Sequence, residues 1–81
     1  MTYAETYNEA INLLCDSKFN EALPILEKLR DANPAFGRIY NELGVAHLNL
    51  GNFQDAFNAF QTNVFLSPFD AMGYQNLGVM M

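Results

Sequence analysis

The six residues YNELGV, Tyr40 to Val45, return as YQNLGV, Tyr74 to Val79, 34 positions further along a chain of 81 residues. The same shift carries Leu14 to Leu48, Phe19 to Phe53, Ala22 to Ala56 and Pro34 to Pro68. A fixed period of this length constrains the fold more than any single element does. Each unit becomes one supersecondary piece that cannot bury its apolar face alone and has to stack on its neighbour.

Within the unit from Gly37 to Asp70 the apolar pattern has helical spacing twice, interrupted by NLGN. Tyr40, Leu43, Ala46, His47 and Leu50 share one face, and Phe53, Ala56, Phe57, Phe60 and Val64, with the adjacent Ala59, share another. Gly51 and Asn52 supply the left-handed turn between the helices. Pro68 in LSPFD stops the second helix after Phe53 to Leu66, and Asp70 can cap the next one. The preceding unit reads as a helix from about Tyr3 to Cys15, a turn at DSK, a helix from about Phe19 to Ala32 and a stop at NP. Pro24 lies early enough in its helix to predict at most a slight kink. The chain is therefore all-α, built from helical hairpins.

Composition removes several functional classes. Nine acidic residues face only Lys18, Lys28, Arg30 and Arg38, a net charge of -5, so no basic surface exists to track nucleic-acid phosphates. No apolar run reaches the roughly 18 to 20 residues of a membrane span, and the N-terminal residues do not form a signal peptide, which points to a cytoplasmic protein without membrane contact. Cys15 is the sole cysteine, which excludes an internal disulfide, and its setting in INLLCD predicts a small buried side chain. His47 is the sole imidazole and falls at a packing position. Glu5 and Glu9, one turn apart, lack further ligands for a cation. With no phosphate loop and no nucleophile beside a base, the chain reads as neither an enzyme nor a cofactor carrier.

The second unit resembles the tetratricopeptide repeat. Tyr40 stands at the family's first aromatic site, Leu43-Gly44 at its Leu-Gly pair, His47 at its Tyr site, and Ala56, Phe60 and Pro68 at its Ala, Phe and Pro sites. The first unit departs, with Thr6 at the aromatic site and Glu9-Ala10 in place of Leu-Gly, as suits an N-terminal cap. Asn63 replaces a usual small Ala, and Phe65 a usual polar residue. The resemblance implies antiparallel hairpins stacked as a short right-handed solenoid of about five helices. This is a single domain over 1–81, with repeats at about 3–36 and 37–70 and a partial third at 71–81. Gly44, Ala56, Phe60 and Pro68 are its hairpin-packing positions, small at Gly44 and Ala56 because the two helices cross closely there.

Members of this family are binding scaffolds, so the resemblance implies a protein or peptide partner held in a concave groove lined by the first helix of each unit. By position that lining is Tyr7, Asn8 and Ile11, then Arg38, Asn41, Glu42, Val45 and Asn49, extended by Met72, Gln75 and Asn76. Its amides suit an extended backbone or uncharged side chains. Tyr7 and Ile11 stand where some members carry a Lys and an Asn for a C-terminal carboxylate, which disfavours that ligand.

The partial third unit, from about Ala71, ends in NLGVMM, leaving Tyr74, Leu77, Gly78 and Met81 without a hairpin mate. Burial of that face in a homo-oligomer, or continuation of the array in a longer chain, would each satisfy it. The alternative functional reading is an N-terminal regulatory or assembly segment of a larger enzyme, for example a transferase.

Overall fold

The computed structural model describes residues 2–68 together with Gln75 and Gly78. Four helices follow one another, α1 (Tyr3–Cys15), α2 (Phe19–Ala32), α3 (Gly37–Asn49) and α4 (Phe53–Leu66). No strand occurs among the described residues. The fifth helix expected from Ala71 lies mostly outside them, although Gln75 and Gly78 are helical. None of the helices described is long and apolar enough to cross a membrane.

Each helix begins and ends for a local reason. α1 opens on a capping box: Glu5 N–H donates to Thr2 Oγ1, and Glu5 Oε1 accepts from the Thr2 N–H, both at 3.2 Å. These bonds hold the Glu5 carboxyl below its usual range. Both hairpin turns close in the same way. Lys18 N–H donates to Leu13 O and Ser17 N–H to Leu14 O, and 34 residues later Asn52 N–H donates to His47 O and Gly51 N–H to Leu48 O. In each turn the residue after the C-cap is left-handed, with φ 61° at Ser17 and 81° at Gly51. α2 runs on through Pro24, its sixth residue, so the bond to the Asn20 carbonyl is lost; both residues are exposed, where water can serve that carbonyl.

Packing is sequential, α1 on α2, α2 on α3 and α3 on α4. One core joins Ala10, Ala22, Leu26 and Leu29 of the first hairpin to Ile39, Leu43, Ala46 and Ala59 of the second. Phe60 and Ala56 are fully buried between α3 and α4. A Cβ at Gly44 would overlap the Phe60 ring, so the close crossing expected there is filled by an aromatic side chain. Pro68, expected among the packing residues, is instead exposed, just past the C-cap Ser67, and acts by stopping α4. Tyr40 Oη donates to Pro34 O at 2.9 Å, tying α3 to the loop between the hairpins.

Asn63 stands 34 residues after Leu29 and is likewise buried. The period pairs Gly37 with Tyr3, which packs against the core that contains Leu29. With no side chain at Gly37, Asn63 Nδ2 reaches the Gly37 carbonyl at 2.8 Å, a buried bond between α4 and the start of α3. Its Oδ1 has no partner among the described residues.

Candidate functional site

The face assigned to the groove is a stripe with i, i+4, i+7, i+11 spacing on each first helix. On α3 it comprises Arg38, Glu42 and Val45, each half-buried, and the exposed Asn49. Shifted by one period, the stripe on α1 is Ala4, Asn8, Ile11 and Cys15, of which only Ile11 is half-buried. Cys15 is thus exposed rather than buried, because the last turn of α1 carries it onto this outward stripe.

Tyr7 bridges the two stripes. Its ring lies 6.0 Å from that of Phe36, which also meets Tyr3 at 6.4 Å. The Tyr7 phenol is pushed above its usual range, first by burial and then by the Glu42 carboxylate, while Arg38 pulls it down and Tyr3 adds a small upward push. The fold therefore brings Tyr7 of α1 to Arg38 and Glu42 of α3. Arg38 Nε lies 3.4 Å from Glu42 Oε1, which also accepts from Asn41 Nδ2 at 3.3 Å. The Glu42 side chain is only 12% exposed. Asn49 Nδ2 donates to the Val45 carbonyl at 2.8 Å, so part of its amide capacity is used within the helix.

Asn41 departs from its expected place. It is 1% exposed, turned about 40° or more around α3 from each member of the stripe and toward the core, so it packs instead of lining an open groove. Gln75 is exposed, whereas Met72 and Asn76 lie outside the described residues. So do Tyr74, Leu77 and Met81 of the expected self-association face; Gly78 is exposed, with open space where a Cβ would stand.

Sequence reasoning placed Tyr40, Leu43 and His47 on one apolar face. In the structure they also border a cleft whose remaining walls come from α2 and α4. No signal within one helix marks that cleft, since its charged members belong to different hairpins.

These elements define a tetratricopeptide-like fold of stacked helical hairpins. The chain is similar to the solved structure of the MamA RS-1 ArsTM double mutant, with a TM-score of 0.92 and 32% sequence identity. The likeness covers 96% of this chain and 44% of that one, so this chain spans less than half the length of its structural neighbour. No family model and no curated protein matches the chain.

Proposed function

We propose that the chain is a protein-interaction module that holds a segment of a partner across the stripes of α1 and α3. The observation that carries this reading is the junction of Tyr7, Arg38 and Glu42, where an aromatic ring of the first hairpin meets an ion pair of the second, on the helix faces that also carry Asn8, Ile11, Val45 and Asn49. Such a surface offers apolar contact at Ile11 and Val45 and amides at Asn8 and Asn49, the combination that recognises an extended backbone. The likeness to MamA supports a helical-repeat scaffold at the level of fold.

Photo-crosslinkers placed singly at Val45 and Asn49, and at Gln54 and Gln61 on the outer face of α4, test the reading. Partners captured from the first pair and not the second, and lost on Arg38→Glu, are the expected result. Equal capture from both faces, or capture indifferent to Arg38→Glu, would overturn it. The same module is proposed to self-associate through the face carrying Tyr74, Leu77, Gly78 and Met81. Light scattering at high micromolar concentration tests that separately: Leu77→Glu should lower the apparent mass, and a monomer at all concentrations refutes it.

A further inference from the structure

On the side of α3 turned away from the groove stripe, Tyr40, Leu43 and His47 border a cleft of about 220 Å3, closed by Arg30 of α2 and by Asp55, Asn58 and Thr62 of α4. It forms only where two hairpins meet. Its base is apolar, from Leu43 and Ala59, both nearly buried.

Two observations set it apart from a packing gap. Its walls carry charges of both signs that do not meet. Arg30 contacts the adjacent Asp31 through Nε at 3.2 Å, an exposed contact that holds the side chain weakly. The Asp55 carboxylate makes no ion pair or side-chain hydrogen bond among the described residues. The polar groups between these charges are oriented by bonds that leave further capacity. Asn52 Nδ2 lies 3.3 Å from His47 Nδ1, and in the tautomer in which Nδ1 accepts from this amide the imidazole carries its proton on Nε2. Asn58 Oδ1 accepts from Gln54 Nε2 at 3.3 Å, leaving its own amide protons for a ligand, and Thr62 Oγ1 donates to the Asn58 carbonyl at 2.9 Å, leaving its lone pairs.

We propose that this cleft is a second binding site, for a ligand that presents a carboxylate and an ammonium group joined by a short aliphatic spacer. Arg30 and the His47 Nε2–H receive the carboxylate, Asp55 receives the ammonium, and the spacer lies on Leu43 and Ala59. A single anion would meet Asp55 as a repelling neighbour, and a single cation would meet Arg30; only a ligand with both charges satisfies both walls. A free ω-amino acid and a Glu–Lys side-chain pair on a docking segment both present a carboxylate and an ammonium separated by apolar atoms. Phe65 serves to distinguish them: it follows Asn58 and Thr62 along α4, is 84% exposed and does not line the cleft, so a docking segment running past the cleft would cover it.

The 15N-labelled chain, titrated with 6-aminohexanoate, with acetyl-Glu-Ala-Ala-Ala-Lys-amide, and with hexanoate and hexylammonium as single-charge controls, tests the assignment. At least one two-charge probe should give saturable shifts centred on Arg30, His47, Asp55, Asn58 and Thr62, with an affinity about tenfold above either control. Arg30→Gln should reduce that probe to the level of hexylammonium, and Asp55→Asn to that of hexanoate. Both residues lie outside the core, and circular dichroism of the variants checks that they fold. Weakening of the peptide alone by Phe65→Ser assigns the source as a docking segment; tight 6-aminohexanoate binding indifferent to Phe65→Ser assigns a free ω-amino acid. No binding, two-charge probes no better than the controls, shifts away from the cleft, or indifference to either charge substitution would overturn the proposal.

Discussion

Ser17 and Gly51 occupy equivalent left-handed positions in the two hairpin turns, and they differ in what that conformation costs. A side chain in this region costs roughly 1 to 2 kcal/mol, against roughly 0.5 to 1 kcal/mol of extra unfolded-state freedom for glycine. Ser17→Gly should therefore stabilise the chain by about 0.5 to 1 kcal/mol, read as a higher urea midpoint at unchanged slope. Gly51→Ala should lower stability by about 1 kcal/mol on conformational grounds alone, because a Cβ there would meet nothing within 4 Å. Asn63 is the other residue whose setting decides the outcome. Asn63→Ala removes the bond to Gly37 and leaves a void, and should cost about 1 to 3 kcal/mol. Asn63→Leu, the residue found one period earlier, loses the same bond but fills most of the void and should cost less. If chemical denaturation ranked the two variants the other way, the void would not be the larger part of what Asn63→Ala costs.

Between elements, the tightest constraint is where α3 crosses α4. Gly44→Ala forces the Phe60 ring to move and should cost about 1 to 3 kcal/mol by overpacking. Phe60→Leu in the same chain should recover part of that loss, seen as a coupling in a double-mutant cycle of thermal unfolding. Additive effects would mean that the backbones, and not the ring, set the spacing. The bounds of α1, α2 and α4 coincide with those read from the apolar period and its punctuation, because left-handed turns and prolines act within a few residues of where they stand. Asn41 and Cys15 were misjudged for the opposite reason. The first is polar yet packed and the second apolar yet exposed, and which side of a helix is covered depends on neighbours far along the chain.

For the whole molecule, the contact between hairpins makes itself felt through Tyr7. Its phenol is raised above the usual value of 10.0, so the unfolded chain releases this proton more readily than the folded one. The associated stability is fully present below about pH 10 and is lost as pH rises from there through the folded value. Denaturant unfolding at about pH 9 and about pH 11 should show a smaller alkaline loss for Tyr7→Phe than for the parent chain. Glu42→Gln should lower the Tyr7 titration midpoint measured by absorbance of the phenolate. An unmoved midpoint would mean that the two stripes are not electrostatically joined across α1 and α3.

Periodicity, turn chemistry and the placing of small residues were enough to specify helical hairpins, their boundaries and their stacking, since these follow from local backbone preference and from apolar faces that must be covered. The amino-acid order alone did not reveal the junction of Tyr7 with Arg38 and Glu42, the buried bond from Asn63 to Gly37, or the cleft between Arg30 and Asp55. Each joins residues from different helices, and what they can do together depends on distances that exist only once the helices have packed.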